Sequence, residues 1–184
     1  MLSTCVGNIC ERKNQILLVE IFGRLLDEFP QWDLELWGRC TSRYAVKLIK
    51  EIHEHQWDSR IFVKGETKDV GDVYARSDIF CLLSQSEGFP LSLSEAMAAG
   101  LPAVGLKRCF GVNDLIQQGK TGYLAISDDV VEHSLKKLMA DVHLRQVFGL
   151  NGQRAISEYS ANKIWDQWNN LLINVMLPGG NNAI

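Results

Sequence analysis

The run Ile79-Phe80-Cys81-Leu82-Leu83 is short, bounded and β-prone, the pattern of a strand buried on both faces. Sheets with both faces buried are parallel and flanked by helices, so this run directs the chain toward a layered α/β architecture. The residues that follow, Ser84-Gln85-Ser86-Glu87-Gly88-Phe89-Pro90, are a Gly/Pro-punctuated loop leading into the helical stretch Ser92 to Ala99. A strand, a loop and a helix N-terminus in that order form a pocket at the C-terminal edge of a parallel sheet. Two carboxylates eight positions apart, Glu87 and Glu95, fall on this loop and at the start of its helix.

The rest of the chain repeats the alternation. Strands are expected at Leu2 to Gly7, Leu34 to Trp37, Arg60 to Val63 and Ala103 to Leu106, with a brief one at Tyr123 to Ala125. Helices are expected from about Asn14 to Phe29, where Pro30 stops the pattern, and from Ser42 to His55, Val70 to Ala75 and Val112 to Gln118. Lys64-Gly65 is expected to be a turn. Gly100 suits the position just past its helix, with Pro102 following. From Val130 the pattern is helical to about Met176, with breaks near Val142 and Ser160, and residues 178 to 184 are expected to be a flexible tail. Strands and helices in this order imply a doubly wound parallel sheet.

With 184 residues, the chain is sized for one such domain. Its net charge is -3, and neither half is basic: nine Lys/Arg face nine Asp/Glu up to Lys64. Nucleic acid is therefore not an expected partner. No apolar run approaches the roughly 18 to 20 residues of a membrane span, and no basic-then-apolar leader stands at Met1. The five widely spaced cysteines, Cys5, Cys10, Cys40, Cys81 and Cys109, read as reduced thiols in or near the core of a cytoplasmic protein.

Three stretches have residues suited to chemistry. In the first, Ser92-Leu93-Ser94-Glu95 fits a capping box, and Glu87 alone fits a solvated loop carboxylate. Their pairing beside Gly88, where a ligand can approach the backbone, favours a binding site. In the second, Arg12 and Lys13 stand near a helix N-terminus, where the helix dipole prefers an anion. They either extend into water or hold a bound anion. In the third, Cys109 to Ile116, Asn113 or Asp114 is a candidate helix cap beside the same sheet edge. Phosphate-loop, dinucleotide, nucleophile-elbow and zinc patterns are missing from the sequence, as is Asp-x-Asp.

Together these stretches resemble the C-terminal, donor-binding domain of retaining glycosyltransferases with the GT-B fold, glycosyltransferase family 4, group 1. Glu87 through Glu95 looks like that family's Glu-x7-Glu motif, continued by Ala96-Met97-Ala98-Ala99-Gly100-Leu101-Pro102. Asp114-Leu115-Ile116 and Gly119-Lys120-Thr121-Gly122 match its next block, and the likeness runs from Val6 to about Gly152. The resemblance implies a single Rossmann-like domain over residues 1 to 177, whose N-terminal, acceptor-binding partner domain is absent. A strand that begins at Leu2 with no lead-in favours excision of that partner.

The resemblance further implies that Glu87 meets the donor sugar hydroxyls and Glu95 the ribose of a nucleotide-diphosphate sugar, most readily a UDP-sugar. Lys13 matches the family's diphosphate-binding lysine, and Lys13 and Glu87 become the catalytic candidates. Backbone N–H groups of Gly88, Phe89, Leu91 and Ser92 are implied to hold the sugar and diphosphate. Asn8 stands where the family has an arginine, and Arg12 is the cation placed to substitute for it. Lys107 also departs from the family, which commonly has an acid there. The implied function is the donor-binding half of a metal-independent enzyme of cell-surface polysaccharide assembly, without a cofactor and inactive alone. It is implied to be cytoplasmic, and peripheral to the membrane through the absent domain. The alternatives are a nucleotide-sugar epimerase-like relative and a non-catalytic doubly wound interaction module. The apolar face Ile164, Trp165, Trp168, Leu171, Leu172 and Val175 on the last helix either crosses to the absent domain or packs on its own.

Overall fold

The computed structural model describes residues 1–176, so the expected tail at 178–184 lies outside the described residues. Six strands form one parallel sheet in the order β3-β2-β1-β4-β5-β6. They are β1 (Leu2–Val6), β2 (Asp33–Trp37), β3 (Ile61–Gly65), β4 (Ile79–Leu82), β5 (Ala103–Leu106) and β6 (Gly122–Ala125). The chain winds outward from β1 to β3, crosses back to β4 and winds outward again to β6. This is the doubly wound, Rossmann-like order, and its direction reverses between β1 and β4.

The helices are α1 (Gln15–Leu25), α2 (Arg43–Glu54), α3 (Val70–Ala75), α4 (Leu91–Ala98), α5 (Phe110–Leu115), α6 (Asp128–Ala140), α7 (Val142–Ile156) and α8 (Ala161–Met176). Helix α1 packs on α2 and α6, and α4 packs on α5 and α7. Right-handed crossovers put α1 and α2 on one sheet face and α4 and α5 on the other, and packing sets α6 beside α1 and α7 beside α4. Strands β4 and β5 are accordingly apolar and have no exposed residue, while central β1 buries the small polar Ser3 and Thr4. Leu18, Val19, Phe22 and Leu25 of α1 meet Leu34 and Leu36 of β2 in a core that also encloses Trp32.

Three local expectations are corrected. Lys64 and Gly65 continue β3 instead of turning, because Gly65 pairs with Trp37 and its carbonyl accepts from the Gly38 N–H. Helix α5 starts at Phe110 and ends at Leu115, since Ile116 is already extended. Helix α1 ends at Leu25, before the expected Phe29, and bonds from the Leu26 N–H to the Gly23 carbonyl and from the Phe29 N–H to the Leu25 carbonyl carry the chain on toward Pro30.

No helix among the described residues is long and apolar enough to cross a membrane. Helix α8 has no buried residue; Trp165 is 67% exposed, and Trp168, Leu171, Leu172 and Val175 are exposed with it. Its apolar face is therefore uncovered by its own domain among the described residues.

One charge inside the fold has an unusual support. Arg145 on α7 is buried, and its Nη1 donates to the Leu138 and Met139 carbonyls at 2.6 and 3.3 Å, near the C-terminus of α6. Its guanidinium carbon lies 5.0 Å from the centroid of the Trp32 ring. Helix-end carbonyls and a ring face thus stand in for a carboxylate. Arg145→Met, which keeps the apolar stem but removes the donors, is expected to cost roughly 1.5–3 kcal/mol in urea denaturation.

Candidate functional site

Strands β1 and β4 pair at two positions, Ser3 with Ile79 and Thr4 with Phe80. Beyond them, toward the C-terminal ends, β1 continues to pair with β2 and β4 with β5, so a crevice opens where the winding reverses. Ligands of open α/β sheets bind at such a point. Two loops flank it, one from β1 to α1 and one from β4 to α4.

The first loop is shaped to project Lys13 back over the strand end. Gly7 has a φ of +153°, and a Cβ there would lie 3.1 Å from Lys13 Cε, so glycine leaves the path that the lysine stem follows. Glu11–Lys13 form a single 3-10 turn, ended by Asn14 in the left-handed conformation at φ 56°. Buried Gln15 braces the loop from inside: its amide donates to the Asn8 carbonyl at 2.9 Å and its oxygen accepts from the Cys10 N–H. Asn8 itself is exposed at this edge.

Both cations of the first loop meet Glu87 of the second. Lys13 Nζ is 2.7 Å from Glu87 Oε1, with the two side chains 11% and 9% exposed. Arg12 Nη1 lies 3.0 Å from Glu87 Oε2 and 2.7 Å from the Ser86 carbonyl, while its own carbonyl accepts from the Gln85 N–H at 2.8 Å. Burial opposes ionisation of Glu87, but the paired Lys13 and Arg12 cations outweigh it and hold the carboxyl below its ordinary value. Beneath the cluster, burial pushes the Cys5 thiol up to about 12 despite nearby Lys13, which leaves it protonated and unsuited to attack. All five cysteines are free thiols.

Helix α4 begins at Leu91 with Pro90 as its cap, and no side chain occupies the capping role. The Ser92-Glu95 capping box is therefore not formed: the helix starts before Ser92, which places that serine inside the first turn. The Leu91 and Ser92 N–H groups have no intrahelical acceptor and lie at the positive end of the helix dipole. Glu95 Oε2 instead accepts from the Tyr74 hydroxyl at 2.9 Å. Phe89 and Leu91 are exposed, with the Phe89 ring 5.5 Å from that of Tyr159, and Gly88 is exposed between the two motifs.

The third stretch supports the loop from behind. A Cβ on Gly111 of α5 would lie 2.2 Å from the Gly88 carbonyl and 2.9 Å from that of Glu87, so only glycine lets α5 approach this closely. The cap of α5 is Cys109; Asn113 and Asp114, expected as capping candidates, are exposed inside the helix. A cavity of about 430 Å³ opens along α4 beside Phe89, Leu91, Glu95, Ile156 and Tyr159. No group of three or more His, Cys, Asp or Glu side chains is placed to hold a metal ion among the described residues.

The structure thus brings Arg12, Lys13 and Glu87 together by ion pairs and sets Phe89, Leu91 and Glu95 along the cavity beside α4, while Asn8 lies on the first loop and Gly88 and Ser92 on the second loop and its helix start. Sequence reasoning missed Gln15 and Tyr74. A polar residue opening the apolar helix α1 was the available signal for Gln15; Tyr74 gave none beyond its place on the short helix before β4.

Because its folded pKa is lowered, Glu87 contributes stability that is complete above the ordinary glutamate value of about 4.3 and is lost as pH falls below it. Glu87→Gln is expected to shrink the drop in urea midpoint between pH 7 and pH 3. Gly111→Ala, by pushing the loop off α5, is expected to lower the melting temperature and to shrink the same pH-dependent difference.

An uncharacterized glycosyltransferase of Haemophilus influenzae is 29% identical over 91% of this chain and 47% of its own length. N-acetyl-alpha-D-glucosaminyl L-malate synthase of Bacillus anthracis is 32% identical over 79% of this chain and 37% of its own. The fold is that of a Staphylococcus aureus TarM variant solved with fondaparinux, alpha-GlcNAc-glycerol and UDP. That structure is 24% identical, with a TM-score of 0.85 over 92% of this chain and 35% of its own. The chain spans less than half the length of each of these proteins. The family model for glycosyl transferases group 1 matches residues 2–155. The chain belongs to that family.

Proposed function

We propose that the chain is the donor-binding half of a retaining, metal-independent glycosyltransferase that uses a nucleotide-diphosphate sugar, with a UDP-sugar as donor, in cell-surface polysaccharide assembly. The observation that carries this reading is the cluster of Lys13, Arg12 and Glu87 beside the uncapped N-terminus of α4. Two cations against one carboxylate leave a surplus positive charge, and the free N–H groups of α4 add a positive dipole end. A diphosphate fits such a place. UDP in the TarM structure is consistent with the choice of base.

In this reading the bond from the anomeric carbon to the donor phosphate oxygen breaks and its electron pair leaves with the diphosphate, while an acceptor hydroxyl oxygen bonds to that carbon and gives up its proton to the diphosphate. Lys13, Arg12 and the α4 N–H groups stabilise that developing charge. Glu87, held ionised between the cations, accepts from sugar hydroxyls, and Glu95 accepts from the ribose. The acceptor substrate belongs to a second domain, and the exposed apolar face of α8 is the surface assigned to meet it. The protein acts in the cytoplasm, at the membrane only through that domain, and the isolated chain binds donor without turning it over.

Calorimetric titration with UDP, GDP and ADP sugars tests the reading. Saturable binding of one of them is expected. Lys13→Ala is expected to weaken nucleoside diphosphate binding by roughly ten- to hundred-fold while changing nucleoside binding little, the scale of a lost charge-assisted hydrogen bond. Absence of binding at millimolar donor overturns the proposal.

A further inference from the structure

Tyr74 is buried on α3, 3% exposed, with its ring set edge-on against Phe80 of β4 at 6.0 Å and 71°. Burial and this contact hold the ring in place, so its hydroxyl is a fixed donor. That donor meets Glu95 Oε2 at 2.9 Å. Glu95 itself is exposed, lines the cavity along α4 and makes no salt bridge among the described residues. An exposed glutamate on a helix ordinarily samples several rotamers at little cost. Here one oxygen is pinned from the core while the other faces outward without a hydrogen-bond partner among the described residues.

A carboxylate held this way is a preset acceptor for a hydroxyl pair, because it need not be ordered when the ligand arrives. Burial and the neighbouring Glu95 carboxylate both push the Tyr74 phenol up, so it stays a donor through the physiological range. We infer that Tyr74 is a positioning residue that locks Glu95 for the ribose diol, and that this pair makes the site selective for ribonucleotides over deoxyribonucleotides. The inference rests on the donor-binding reading of the site and extends it to a residue outside the Glu-x7-Glu stretch.

The test is titration of the whole chain with UDP, 2′-deoxy-UDP and 3′-deoxy-UDP, in the wild type, Tyr74→Phe, Glu95→Gln and the double variant. The wild type is expected to prefer UDP. Tyr74→Phe, which keeps the ring and removes the donor, is expected to bind UDP about three- to ten-fold more weakly, the range of one hydrogen bond. Its affinity for the deoxy analogues stays near that of the wild type, so the preference collapses. The double variant binds UDP no more weakly than Glu95→Gln, which shows that the two residues act as one unit. A Tyr74→Phe protein that melts earlier but keeps the wild-type preference overturns the inference and leaves the bond a structural one. Wild-type binding of UDP with no preference over the deoxy analogues also overturns it, while leaving the donor-site reading intact. Absence of UDP, GDP and ADP binding in the wild type overturns both.

Discussion

Lys13 and Glu87 come from opposite halves of the winding, and their contact closes the seam where β1 and β4 part. Much at the sheet edge is arranged around it. Gly7 clears the path of the lysine stem, Asn14 takes a left-handed turn to end the loop, and Gln15 fills the space beneath. On the other side, Gly111 lets α5 press against the Glu87 loop. Backbone contacts join the same two loops through Arg12 and Gln85, so the ion pair is part of a larger clasp.

An anion is already present at the place where the family resemblance expects one to bind. Arg12 and Lys13, whose position near a helix start opposes the dipole, both pair with Glu87. Much of the desolvation of this cluster has already occurred at Lys13, whose side chain is 11% exposed. Arg12, by contrast, is half-exposed. Asn8, which has no charge, is followed four residues later in the same loop by Arg12.

Much of the fold was legible because it rests on apolar periodicity. The buried runs at β1, β2, β4 and β5 mark their strands directly, and Pro90, Gly100 and Pro102 punctuate the helix between β4 and β5. Capping was legible only in part. Ser42 caps α2 as a hydroxyl should, yet at α4 Pro90 takes the position and Ser92 is drawn inside the helix. Local patterns identify possible caps, but packing of the loop decides which one is used. The partners of Glu87 and Glu95 were hidden for a similar reason: Lys13 and Tyr74 reach them through tertiary contacts that no spacing in the sequence encodes.

The reversal between β1 and β4 also has a kinetic meaning. The strands β1, β2 and β3 are joined through neighbouring segments, as are β4, β5 and β6, but the contacts across the seam span distances such as the 74 residues between Arg12 and Ser86. Long-range closure carries an entropic cost that local pairing avoids, so each half has the means to assemble before the seam forms. Because the crevice is built from both halves, it exists only after that docking step. A ligand seated there therefore stabilises the union of the halves against local opening, as well as the loops it touches.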